Sequence, residues 1–73
     1  MHEALCSECG KPGDFMLNVM IPPGDVIDHL HRHACTMCLG RVAVYLHGCA
    51  NAEGYNRHAV VIESLDDFDP HLN

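Results

Sequence analysis

Hydrophobic and polar positions change period along the chain, and each change marks an element. Over "DFMLNVMI", residues 14–21, Phe15, Leu17, Val19 and Ile21 alternate with Asp14, Met16, Asn18 and Met20. A period of two separates the faces of a β-strand. "PPGD" follows, where Pro23 presets φ for the second turn position and Gly24 can take the positive φ of a type II turn, so the strand is expected to reverse. "VIDHLHRH", residues 26–33, is then the returning half of a hairpin, with Pro22 and Pro23 confined to its end because they cannot donate to a ladder. On a regular strand Val26 and Leu30 fall on one side, and Ile27 with His29, His31 and His33 on the other.

From Thr36 to His47 the spacing becomes helical. Leu39, Val42, Ala43 and Leu46 stand at i, i+3, i+4 and i+7, and Gly48 is placed as the stop just past the helix end. Gly40 inside that helix costs about 1 kcal/mol relative to Ala, so packing must compensate. "CANAEGYN" reads as a polar loop and "HAVVIESL" as a β-branched third strand that adds to the sheet or covers the helix. Residues 1–65 are thus expected to form a single domain, followed by an acidic tail, 66–73, broken by Pro70.

Length changes what such a pattern must do. A chain of 73 residues buries only about 60% of the surface its unfolded form exposes. Below about 80 residues, folds commonly add disulfides, a metal or a partner subunit. Five Cys and seven His supply the material for the first two. "MHEALC" has neither the basic start nor the apolar stretch of a signal peptide, and no apolar run approaches the roughly 18 residues of a membrane helix. The expectation is a reduced, cytoplasmic setting, in which paired cysteines bind metal more often than they form structural disulfides. An odd fifth cysteine also fits a disulfide framework poorly.

Two Cys-x-x-Cys pairs stand out, Cys6 with Cys9 and Cys35 with Cys38. The first lies in "CSECGKPG", where Gly10 lets the backbone turn tightly beneath a metal so that amides point at the sulfurs. The second opens the helical stripe, where free amides and the positive end of the helix dipole are expected to favour thiolate. The 25 residues between the pairs suffice for one hairpin. Zn²⁺ takes four thiolates as a tetrahedron at about 2.3 Å. Cys6, Cys9, Cys35 and Cys38 are therefore the expected ligands of one structural Zn²⁺, with iron in a four-thiolate site the competing metal.

The order knuckle, hairpin, then a helix starting at the second Cys-x-x-Cys resembles the treble-clef zinc-finger superfamily over residues 6–47. "CSECGKPG" is similar to its knuckle and "CTMCLGRVAVYLHG" to its ligand-bearing helix. The resemblance implies an α+β fold of zinc knuckle, β-hairpin and helix, with the same four cysteines as ligands; the chain from Cys49 onward lies outside it. A zinc ribbon would instead put both pairs on knuckles, but Leu39 stands where the first knuckle has Gly10.

Treble clefs serve many roles, so the fold leaves the function open. A formal net charge of −6 repels a phosphate backbone unless Lys11, Arg32, Arg41 and Arg57 gather on one face. The leading expectation is a non-enzymatic adaptor or regulator that binds another protein through an acidic surface, with transcription or nucleic-acid machinery as its expected setting. A nucleic-acid-binding finger using those four cations is the alternative. A third reading is metal handling by a row of His29, His31 and His33, against the simpler case of solvated histidines or partners of a thiolate. Cys49 is expected to pack as a small apolar residue near the helix end. Asp28 and His29, adjacent on a strand, point to opposite faces and make no catalytic pair.

Overall fold

A computed structural model describes residues 4–65, so the expected acidic tail, 66–73, lies outside the described residues. The elements are β1 (Phe15–Ile21), β2 (Asp25–Ala34), α1 (Leu39–Ala52) and β3 (Ala59–Ser64). The fold is α+β, as expected: a three-stranded antiparallel sheet in the order β2-β1-β3, with one helix against it. The third strand joins the sheet beside β1 rather than covering the helix.

The alternation in β1 explains its central place. Leu17 and Val19 are fully buried, and with Leu30 and Ala34 from β2 they meet Val42, Leu46 and Ala50 of α1. Their neighbours Met16, Asn18 and Met20 point to the opposite face of the sheet, because successive side chains alternate. Among the described residues only Leu17, Leu46, Val19 and Val42 are large and fully buried, each worth about 1.5–3 kcal/mol of transfer from water. Such a core is thin, and a cross-link at its edge matters correspondingly.

Three local features differ from the sequence expectation. At the hairpin, the Pro22–Pro23 peptide is cis and Gly24 has φ of 156°, which is not the φ of about 80° that a type II turn needs. Within β2 the pairing slips: Asn18 faces His31 while Val19 faces Ile27, leaving Asp28, His29 and Leu30 without a partner on β1. That irregularity resets which side chains face which way, as a register change must.

The helix also runs longer than the sequence pattern predicts. Gly48 lies inside it, and Ala50 continues the buried line of Val42 and Leu46 by one more turn. The stop is Gly54, at φ of 91°. Its N–H donates to the Asn51 carbonyl and that of Tyr55 to the Ala50 carbonyl, both at about 3 Å, the paired closure of a Schellman motif. Half-buried Tyr55 packs on the core there. "CANAEGYN" is therefore the last turn of α1 and its cap rather than a loop.

The N-terminal segment folds back on itself and against the end of β2. Leu5 pairs with Pro12, the Cys6 N–H donates to the Lys11 carbonyl at 2.7 Å, and the Ser7 N–H donates to the His33 carbonyl at 2.9 Å. Gly13 sits where a Cβ would come 3.1 Å from the Ala4 carbonyl oxygen and 3.3 Å from the His33 Cβ. A side chain there would require the Ala4 carbonyl or His33 to give way by a few tenths of an ångström.

Candidate metal centre

The backbone brings both cysteine pairs to one end of the sheet. Gly10, at φ of 79°, closes the first turn with its N–H on the Cys6 carbonyl at 2.9 Å. The second pair follows β2 directly: Cys35 and Cys38 span a turn closed by the Cys38 N–H on the Cys35 carbonyl at 3.1 Å, and α1 begins at Leu39. Cys38 is the N-cap, so the pair precedes the helix rather than riding in its first turn. Asp14 braces this turn, accepting from both the Thr36 N–H and its hydroxyl at 3.1 Å.

The four sulfurs of Cys6, Cys9, Cys35 and Cys38 lie within 4.8 Å of one another. Cys9 Sγ and Cys35 Sγ are 3.7 Å apart, far beyond the 2.05 Å of a disulfide. A tetrahedron of sulfurs at about 2.3 Å from one ion has edges of about 3.8 Å. The donor set thus fits one metal ion of tetrahedral, thiolate-preferring chemistry. Cys6, Cys35 and Cys38 are buried and Cys9 is exposed.

Charge is not spread evenly over the thiols. The Cys35 backbone amide donates to Cys6, and with the Cys9 and Glu8 amides it outweighs burial, bringing the Cys6 pKa down to about 6. Cys38 goes the other way, up to about 12, because its thiol proton is held first by the Cys35 sulfur, with burial and the Cys6 and Cys9 sulfurs adding to this. The helix start is expected to favour thiolate at Cys38; in the metal-free cluster the backbone amides converge on Cys6, and the neighbouring sulfurs hold the Cys38 proton.

The histidine row is not a row. His31 and His33 lie opposite Asn18 and Met16, on the sheet face away from α1, with their rings edge to face at 4.8 Å. The His31 Nδ1–H donates to the Asn18 Oδ1 at 2.8 Å. Burial, then the charge of His31, lowers the His33 pKa. His29, inside the irregular segment, instead reaches Glu53 beyond the end of α1, Nε2 to Oε1 at 2.6 Å. Among the described residues the four cysteines are the one group gathered closely enough to hold a metal.

Two features escaped the sequence reading. His47 and Cys49 lie within α1; Cys49 packs half-buried on the core, as expected of a small apolar residue. His47 and His58 are joined, Nδ1 to Nε2, at 2.7 Å, with Asn51 Nδ2 3.3 Å from His47 Nε2 and His58 Nδ1 2.7 Å from the Tyr55 carbonyl oxygen. A carbonyl only accepts and an amide nitrogen only donates. With both rings neutral, the protons therefore run one way from Asn51 through His47 and His58 to Tyr55, pinning the last turns of α1 to the start of β3. The second feature is an exposed strip on α1 and the turn before it, whose i, i+3, i+4, i+7 and i+8 spacing from Met37 to Tyr45 was readable beside the buried stripe.

Compared with protein-family models, with curated proteins and with solved structures, the chain matches none. No helix among the described residues is long and apolar enough to cross a membrane.

Proposed function

We propose that the protein is a zinc-stabilised, non-enzymatic adaptor or regulator of the treble-clef kind, acting on other proteins in a reduced, cytoplasmic setting. The observation that carries the reading is the Cys6, Cys9, Cys35 and Cys38 cluster, whose four sulfurs suit one Zn²⁺ and tie the N-terminal knuckle to the end of β2 and the start of α1. Bound there, zinc would supply a structural cross-link, fixing three segments that a thin core holds weakly. Knuckle, hairpin, ligand turn and helix follow in treble-clef order, although the second pair lies on a turn just ahead of the helix.

Charge favours a protein partner over nucleic acid. Arg57 lines a hollow with Pro22 and Pro23 at the hairpin turn, while Lys11 belongs to the knuckle at the other end of β1. Arg32 lies over the Tyr45 ring, 5.6 Å from its centroid, and Arg41 is on α1. The four cations do not form the single stripe that a phosphate backbone requires. The formal net charge of −6 suits a basic protein partner met through an acidic surface. The metal-handling reading draws little support, because His29 is turned toward Glu53 and away from His31 and His33.

The test is affinity capture with the zinc-loaded chain, read by mass spectrometry, beside a salt titration of DNA and RNA binding. A defined protein partner, with nucleic-acid binding only weak, supports the adaptor reading. Tight nucleic-acid binding with a steep salt slope would replace it by the alternative finger.

A further inference from the structure

The outer face of α1 is unlike the rest of the surface. Met37, Val44 and Tyr45 are 89%, 71% and 50% exposed, and with Gly40 and Arg41 they line an open groove of about 690 Å³. Gly40, Arg41, Val44 and Tyr45 share one side of the helix, turned away from the buried line of Val42, Leu46 and Ala50, and Met37 adjoins them from the turn just before it. Gly40 carries no side chain and a Cβ on it would meet nothing within 4 Å, so the strip is open at that point to a side chain from a facing helix.

Charge narrows the occupant. The chain carries ten acidic residues, yet none lies in α1. Asp14 accepts from Thr36 in the turn before it, and Glu53 at its C-terminal end is paired with His29. The cations at the strip are Arg41, which lines it, and Arg32, which lies over Tyr45 with its Nη1 donating to the His31 carbonyl and its other N–H groups left for a partner. At physiological salt the Debye length is about 8 Å, so acids farther away are screened while a guanidinium in the groove is not. A guanidinium pairs with a carboxylate through two parallel hydrogen bonds.

We propose that this face of α1 docks an acidic amphipathic helix of a partner protein, with apolar anchors on Met37, Gly40 and Val44 and carboxylates on Arg41 and Arg32. The inference rests on the adaptor reading and gives it a second contact, distinct from the acidic surface. An amphipathic helix laid in a groove presents anchors at i, i+3 or i+4, and i+7, matching the spacing of the strip. A second copy of this chain would bring Arg41 and no carboxylate of α1 to the same contact. A phosphate backbone would gain nothing from Met37 and Val44.

The test uses the zinc-loaded full chain, ¹⁵N-labelled, and two synthetic helical peptides of about 16 residues. Both carry Leu or Phe at i, i+3, i+4 and i+7; one is flanked by Glu, the other by Lys at the same positions. The expected result is amide shifts centred on Met37, Gly40, Arg41, Val44 and Tyr45, and at least about tenfold tighter binding of the Glu peptide, equivalent to about 1.4 kcal/mol. Arg41→Glu should reverse the preference, and Val44→Asp should abolish binding of both peptides with the spectrum of the fold unchanged, since Val44 is exposed. Equal affinity for the two peptides, shifts centred on Met16 and Met20 of the open sheet face, or a concentration-dependent dimer through Met37 and Val44 would each overturn the proposal. Zinc content is measured on the same samples. Lost docking with zinc retained therefore counts against this face alone, whereas a zinc-free chain counts against the metal centre.

Discussion

Cys6 and Cys38 occupy the same cluster yet hold their protons very differently, and this sets how the site takes up metal. At neutral pH the Cys6 sulfur, at about 6, is already thiolate, while Cys38, at about 12, must surrender a proton to become a ligand. Metal affinity should therefore fall on acidification throughout the range below 12, and more steeply below about 6, where the proton on Cys6 must also be displaced. A competition titration of zinc between pH 5 and 8 checks this; an affinity independent of pH would contradict it. Gly13 is the second residue with a definite consequence. Its Cβ would meet two backbone atoms, Ala4 O at 3.1 Å and Ala34 N at 3.5 Å, and backbone gives way less readily than a side-chain tip. Gly13→Ala should destabilise the zinc-loaded protein by about 1–3 kcal/mol, as overpacking does, measured by denaturant melts.

Among the elements, the helix shows what the sequence revealed and what it hid. The stripe of Leu39, Val42, Ala43 and Leu46 identified α1, but Gly48 resembled a stop because a glycine ending an apolar stripe usually is one. The true end needed two further signals, Ala50 continuing the buried line and Gly54 with Tyr55 behind it. These two glycines should answer oppositely to the same change. Gly48→Ala, in open space inside the helix, should stabilise by about 0.5–1 kcal/mol. Gly54→Ala, at φ of 91°, should destabilise by about 1–2 kcal/mol. Thermal melts of the pair check the assignment; equal effects would contradict it. The β2 irregularity was not legible at all. Alternation within "VIDHLHRH" says which side chains share a face only if every residue pairs, and Asp28, His29 and Leu30 pair with nothing on β1. The histidine row dissolved for that reason alone.

In the whole molecule, the cysteine cluster was the most legible feature, because two Cys-x-x-Cys pairs and Gly10 state both their chemistry and their turn. The apolar outer face of α1 was less so, since one helix carries two interleaved stripes and the buried one takes the eye first. The cluster brings together the knuckle, the end of β2 and the turn before α1, segments otherwise joined by backbone hydrogen bonds such as Ser7 to His33 and Asp14 to Ala34. Removing zinc with a strong chelator should therefore collapse the circular dichroism spectrum and the cooperative melt together, with both restored on adding zinc back. A chelated protein that keeps its native spectrum would show that the core suffices. The central claim, that Cys6, Cys9, Cys35 and Cys38 jointly hold one zinc ion, is tested most directly by zinc-edge X-ray absorption on protein loaded with a single equivalent. Four sulfur neighbours at about 2.3 Å are expected. A nitrogen or oxygen in that shell, or fewer than four sulfurs, would contradict it.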